Sequence, residues 1–277
     1  MIEEKSFLEP ALSIQTTERS NQMNLRNNRR KTLWLVFLTM SISLINPGLA
    51  ESTQLSSNDN KVMSTLGSLT ASHSQELTRD GLEFLKSMSE AADALETYQF
   101  ESHMNVFKGG KTIDENSKFF FKKPRKMRAE ELGPFKKGSV AVLLPNGKVK
   151  GHMGGLMSKF VGVVDADSEW VSSANGYPLN DSDFYGMCKV MLDFVKSGKK
   201  TLVTEQPVTV NGQAKPVYVL EMYKNPNKEE LMKRAYINPQ TLLPVEWFDY
   251  KNGKLFAHTL WRDLKTNVEI ADSLFDI

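Results

Sequence analysis

The sequence predicts a mainly β protein of the α+β class, an antiparallel sheet with two substantial helices laid on one face. Three observations carry this reading. Asn-Gly pairs recur at Asn146-Gly147, Asn211-Gly212 and Asn252-Gly253 between apolar runs. Tight hairpins need positive φ at both central residues, and these two residue types adopt it at least steric cost. Most apolar runs are strand-length and separated by turn residues. Only two long stretches show the three- and four-residue apolar spacing of an amphipathic helix.

The first helix is expected over Gln75 to Thr97, where Leu82, Leu85, Met88, Ala92 and Leu95 form one stripe. Strands follow at Tyr98 to Lys108, Ser117 to Lys123 and Lys126 to Glu131, with Pro124 interrupting the ladder between the last two. Ser139 to Leu144 and Lys148 to His152 flank the first Asn-Gly pair. The Gly-rich stretch Gly151 to Gly162 is read as a loop with a short helical turn at Leu156 to Phe160. Trp170 lies in a long irregular connection. A second helix spans Ser182 to Ser197, capped by Asp181 or Ser182 and stopped by Gly198. Its stripe is Phe184, Met187, Cys188, Met191 and Phe194 or Val195.

Strands resume at Thr201 to Thr204, Pro207 to Val210 and Lys215 to Tyr223, and a short helix is expected at Lys228 to Met232. The chain then closes as a meander: Arg234 to Ile237, a turn at Asn238-Pro239-Gln240, Leu243 to Tyr250, and Lys254 to Leu264. Apolar side chains occupy both faces of these strands, with Val245 and Trp247 expected on one side and Phe248 and Tyr250 on the other. A sheet of this kind needs cover on both faces.

Residues 1 to 50 read as an upstream extension plus a signal peptide. Arg26, Arg29, Arg30 and Lys31 form a basic region, Thr32 to Ile45 is apolar, and Gly48-Leu49-Ala50 suits a signal peptidase. The start is expected at Met23 and the cut after Ala50. The apolar run is shorter than the ~20 residues of a membrane span. Residues 51 to 76 read as a flexible polar leader, and 77 to 277 as one domain. Residues 1 to 50 hold 6 of the 35 Lys+Arg and 4 of the 33 Asp+Glu, which leaves 29 of each sign downstream. That balance argues against a nucleic-acid partner, which needs a basic surplus. Cys188 is the single cysteine, so there is no disulfide framework.

Several short motifs sit together in this layout. One long helix precedes strands carrying Phe121-Lys-Lys-Pro124-Arg-Lys-Met127-Arg128. The chain ends with Ile237-Asn-Pro239-Gln-Thr241-Leu-Leu-Pro244, then Asp249, Asn252-Gly253, Leu264-Lys-Thr-Asn267 and Leu274-Phe275-Asp276. This resembles the LolA/LolB superfamily of periplasmic lipoprotein carriers and receptors. The closing block is most similar to an uncharacterised bacterial envelope family, a domain of unknown function. The resemblance implies an open, curved antiparallel half-barrel with helices plugging its concave face, and a hydrophobic cavity that takes acyl chains. The carriers usually show Asp-Gly followed by Trp after the first Arg, whereas this chain reads Pro145-Asn-Gly147-Lys-Val-Lys.

On that picture Phe119, Phe121, Trp170, Met187, Met191, Trp247 and Trp261 are the candidate cavity residues. Met153 and Met157 fall in lid segments, where flexible thioethers suit varied apolar chains. Ordinary core packing is the alternative for each of these positions. Arg128 is the lid-closing candidate by resemblance, holding helix-end carbonyls with its five donors. A salt bridge to Glu130 or Asp114 is the alternative. His73, His103, His152 and His258 show no metal-ligand spacing, Asp165 and Asp167 lack further ligands, and no nucleophile elbow or phosphate loop occurs. No cofactor, metal or enzymatic activity is expected. The expectation is an exported periplasmic protein that binds lipid or a lipoprotein acyl chain. The alternatives are an envelope sensor or assembly module with a protein partner and, more remotely, a hydrolase.

Overall fold

The computed structural model describes residues 77–277. The expected extension, signal peptide, start at Met23, cut after Ala50 and leader over 51–76 lie outside the described residues. The described chain builds one open, curved, antiparallel sheet of 12 strands. In chain order these are β1 (Leu77–Asp80), β2 (Thr97–Lys108), β3 (Lys111–Lys122), β4 (Lys126–Glu131), β5 (Val140–Leu143) and β6 (Lys148–His152). They continue as β7 (Val161–Asp165), β8 (Lys200–Thr204), β9 (Tyr218–Tyr223), β10 (Leu231–Ile237), β11 (Pro244–Lys251) and β12 (Lys254–Thr266). Across the sheet they run β1-β8-β9-β10-β11-β12-β2-β3-β4-β5-β6-β7, so the last strand pairs with the second.

Two helices, α1 (Gly81–Asp93) and α2 (Phe184–Lys196), lie on one face, termed inner here. Phe84, Leu85 and Met88 of α1 and Cys188 and Met191 of α2 share a core with Val203, Leu220, Met222, Ala235, Ile237 and Trp247 of the sheet. Helix α1 begins later than expected. The Asp80 carboxylate accepts a bond from Leu82 N at 2.8 Å, which fixes the cap there. The preceding residues pair with β8 instead of extending the helix. The α2 cap is Asp183, not Asp181 or Ser182, because Leu179–Asp181 is already a 3₁₀ turn. Asp183 Oδ1 accepts from Gly186 N at 2.8 Å.

The outer face is covered as well. Over β8 to β11, Leu202, Val219, Tyr223, Tyr236 and Phe248 pack with Val210 and Val217 of the 205–217 excursion. Over β3 to β5, Phe120 and Val142 are covered by Ile270 and Phe275 from the C-terminal segment. Two-faced apolar strands thus have a local explanation that needs no ligand on the outer side. One expected face is corrected. Tyr236 pairs with Glu246 but Ile237 pairs with Pro244, which leaves Val245 as a bulge residue. The bulge turns Val245 to the outer cluster, away from Trp247. A second correction concerns residues 228 to 232, which form a hairpin turn and the start of β10. The Asn225 side chain accepts from Glu229 N at 3.0 Å, and Leu231 is held opposite Tyr223. A third is β7, a strand where a Gly-rich loop is expected.

Candidate functional site

The middle of the inner face is not filled by the helices. Register places Phe100 opposite Phe119, Ser102 opposite Ser117, Met104 opposite Glu115, and Thr259 opposite both Met104 and Trp247. Alternation then puts all of these side chains on the same side. Roofed by Val171 to Ser182 and by Met187, Val190 and Met191 of α2, they enclose a cavity of about 120 Å³. Trp247 and Trp261 meet edge-to-face there, ring centroids 6.3 Å apart. Lys233 closes one side, donating to both Asp249 and the Tyr177 hydroxyl, with its ammonium 5.3 Å from the Trp247 ring centroid. Burial works against its charge, but Asp249 and Tyr177 outweigh that and hold Lys233 above its ordinary value.

A second cavity, of about 340 Å³, lies under the β5–β6–β7 corner. Val140, Ala141, Met153, Met157, Phe160, Val164 and Trp170 give it an apolar lining. The corner is tightly folded. A Cβ at Gly154 would sit 1.8 Å from Lys137 O, so only glycine lets the two turns approach. Around this cavity the surface is unusually apolar. Met157, Phe160 and Trp170, which line it, are exposed, Phe160 at 68%, and Leu156 on the same turn is exposed at 97%. The exposed Val161 and Val163 instead alternate with the lining Gly162 and Val164 and face the other side of β7. Scattered exposed apolar residues are ordinary, but a contiguous group at the rim of a cavity marks a contact surface.

The two cavities meet at Ala129, Glu131 and Val171, which line both. Glu131 is where the electrostatics are unusual. Burial first, and the Glu115 charge second, push its carboxyl up to about 8 against the opposing pull of Lys136. Its Oε2 atom is buried with no hydrogen-bond partner. Glu115 is 4% exposed and is also raised by burial, which outweighs the opposing bond from Ala174 N and the Lys136 charge. Lys136 is lowered by burial despite its acidic neighbours, and its ammonium bonds the carbonyls of Glu169 at 3.0 Å and Ser172 at 2.7 Å.

These shifts have a stability consequence with a definite sign. A Glu in the unfolded chain titrates at roughly 4.3. Glu131 in the folded state holds its proton up to about 8. Its contribution is therefore full below the unfolded range and is lost as pH climbs through that window. The melting temperature is expected to decline between pH 5 and 8.5, and Glu131→Gln to flatten the slope. Parallel thermal scans of both proteins check this, and identical pH profiles would contradict it.

The structure separates the residues singled out in the sequence. Phe119, Met187, Met191, Trp247 and Trp261 line the first cavity, and Trp170 lines the second. Phe121 lines neither. It stacks on Tyr98 with centroids 4.7 Å apart, inside the core. Met153 and Met157 line the second cavity, which lies beneath a strand corner and not beneath the helices. Arg128 lies on the outer face, paired in register with Phe120 and Val142, so it cannot reach α1 or α2 as a lid clamp. Its Nε binds Glu130 at 2.6 Å, and one terminal nitrogen donates to Leu274 O at 2.9 Å, which pins the C-terminal segment. Glu115, Glu131, Lys233 and Asp249, which are not among the candidate cavity residues of the sequence, also line these spaces. Alternation from Met127 through Ala129 already carried Glu131 to the inner face, whereas the Lys233–Asp249 pair depends on strand register.

Catalytic chemistry finds little support in these placements. His258 pairs with Glu246 at 2.6 Å and stacks on Phe248, on the outer face. His152 lines the second cavity, with its Nδ1 3.1 Å from Met153 O. Burial pushes the Cys188 thiol up to about 12, far from a reactive thiolate. Among the described residues no group of three or more His, Cys, Asp or Glu could hold a metal. No described helix is long and apolar enough to cross a membrane.

No protein-family model and no curated protein matches the chain. Solved structures do. The chain is similar to a DUF1329 family protein from Desulfovibrio piger, at 14% identity over 71% of this chain and 95% of that one, with a TM-score of 0.38. A LolA superfamily protein from Nitrosomonas europaea is similar at 9% identity, covering 72% of this chain and 99% of the other, also at 0.38. The MucA/MucB complex from Pseudomonas aeruginosa includes a chain at 13% identity, 71% and 60% coverage, and a TM-score of 0.46. The LolA-like superfamily and a domain-of-unknown-function family, both named from the closing motifs, are therefore among the structural neighbours.

Proposed function

We propose that this protein is a non-enzymatic, exported periplasmic binder of an apolar chain, from a lipid or a lipoprotein, acting as a carrier or chaperone. The observation that carries the reading is the cavity of about 340 Å³ beneath the β5–β6–β7 corner, rimmed by large exposed apolar side chains. Its volume lies within the ~300–1,000 Å³ common for small-molecule sites. Each methylene buried there contributes about 0.8 kcal/mol. The rim gives an incoming chain apolar contact before it is enclosed. Export is read from the basic and apolar segment before Ala50.

A fluorescent fatty acid tests binding directly, and native mass spectrometry of protein taken from its host envelope tests for resident lipid. The double variant Phe160→Ser/Trp170→Ser is expected to lower uptake at least about tenfold. Both side chains are exposed, so its melting temperature is expected to stay near that of the parent. Recovery of bare polypeptide together with no uptake of the fatty acid would sink the reading.

One feature favours a protein partner as the second reading. Strand β7 ends the sheet, and Val161 and Val163 beside its open edge are exposed. An extended segment from an envelope sensor or assembly partner could add there as a further strand. Retention of fatty-acid binding after Val161→Lys/Val163→Lys would assign that edge a separate role.

A further inference from the structure

The carboxyls at the junction of the two cavities have no task in holding an alkyl chain. A purely apolar occupant would leave the Glu131 Oε2 atom desolvated and unpaired, which is costly. Glu131 and Glu115 lie on adjacent strands of the inner face. Glu131 pairs in register with Ser117, and Glu115 is two residues along β3 from Ser117 on the same side. Such diagonal neighbours are about 7–8 Å apart, close enough for one small group to bridge. Ser102, Ser117 and Thr259 continue the polar strip across the first cavity, and each is buried.

The charged groups around this point are otherwise engaged. Lys136, from the turn after β4, spends its ammonium on two backbone carbonyls. Lys233 and Asp249, across the first cavity, close on each other. Glu115 accepts from Ala174 N. His152 on β6 shares the second cavity and points its Nδ1 at its neighbour's carbonyl. Of the described charged residues that line the two cavities, Glu131 is the one with a buried side-chain oxygen, Oε2, that has no hydrogen-bond partner. Since it lines both spaces, a chain lying in the larger one would bring its polar end to this oxygen.

We propose that Glu131, seconded by Glu115, forms a head-group subsite that selects an amphipath bearing a primary ammonium. The idea rests on the apolar-chain reading above and deepens it. An ammonium supplies three donors and a charge, and two carboxyls can share them. Because Glu131 holds a proton up to about 8 when the site is empty, seating a cation there expels that proton to solvent.

Isothermal titration of the full chain with octylamine, octanol and octanoate separates head group from tail. Octylamine is expected to bind at least about tenfold more tightly than octanol, the range of a charge-assisted hydrogen bond. Octanoate is expected to bind most weakly. Repeating the octylamine titration in buffers of different ionisation enthalpy is expected to show proton release near neutral pH. Its affinity is expected to rise from pH 6.5 to 8.5. Glu131→Gln is expected to abolish both the preference for octylamine over octanol and the proton release. Should that variant fold poorly, Glu115→Gln carries the same comparison with a smaller loss of preference. Equal binding of octylamine and octanol, tighter octanoate, or an amine preference that survives in Glu131→Gln overturns the subsite. Failure of all three to bind overturns the apolar-chain reading beneath it.

Discussion

Replacing Phe184 with alanine is expected to destabilise the protein by about 3–5 kcal/mol, the usual cost of deleting a buried aromatic ring. Phe184 is 1% exposed at the first turn of α2. Its ring lies 4.9 Å from Tyr98, 5.3 Å from Phe100 and 6.3 Å from Trp261, centroid to centroid. Its backbone N–H also donates to the Tyr98 hydroxyl at 3.1 Å. One residue thus fixes the helix to the sheet and supports the Trp261 wall of the first cavity. Denaturant unfolding checks the magnitude, and a loss below about 1 kcal/mol would show that the site collapses around the deletion.

Arg234→Ala is the second change with a large expected effect, again about 3–5 kcal/mol, by a different mechanism. Arg234 and Glu221 are 5% and 2% exposed, and Arg234 Nε lies 2.7 Å from Glu221 Oε1 on the outer face. The Tyr223 hydroxyl donates to the same carboxylate. Removing the guanidinium strands a buried charge, whereas removing both partners does not. Arg234→Met/Glu221→Leu is therefore expected to be much more stable than Arg234→Ala. Equal instability of the two would mean that packing, not charge, dominates the site. This cluster lies on the opposite face from the cavities, so the double variant is expected to keep fatty-acid binding.

Local chemistry was legible most fully at the last of the three Asn-Gly turns, since Asn146 and Asn211 do not take positive φ while Gly147 and Gly212 do. Asn252 and Gly253 both take positive φ, 52° and 70°, as the tight hairpin requires. Strands Lys126–Glu131 and Lys148–His152 fall where alternation and the Asn146-Gly147 turn place them. The failures share a cause. Residues 228 to 232 are acidic and helix-like in isolation, but pairing with β9 claims Leu231 for a strand. Val161 and Gly162 fall in the Gly-rich stretch read as a loop, yet they open a strand, Val161–Asp165, that adds to β6. Val245 faces outward because of a bulge that only its partner strand defines. In each case pairing with the neighbouring strand overrides a local preference.

The candidate site was legible in part for the same reason. Large apolar residues announce themselves, so Phe119, Met187, Met191, Trp170, Trp247 and Trp261 were all within reach. Which cavity each would line was not, because that depends on sheet curvature and on how far α2 extends. Glu131 and Glu115 look like ordinary surface carboxylates in a strand. Only the roof formed by residues 171–182 and the Lys136 turn removes them from water. Arg128 shows the reverse. Its carbonyl-binding chemistry was anticipated, but the carbonyl belongs to the C-terminal segment on the other face.

The pairing of β12 with β2 also constrains how the chain reaches this state. About 160 residues separate Trp261 from Ser102, its register partner, so closing that contact carries a large loop entropy and belongs to a slow, late step. Strands β2 to β7 form a run of neighbour-to-neighbour hairpins that can assemble first. Until β12 arrives, the free edge of β2 is a long unpaired strand rich in apolar side chains, the kind of edge that recruits other chains. A polypeptide delivered N-terminus first would pass through that stage each time it is made. The interval before β12 docks is therefore when aggregation competes most directly with folding.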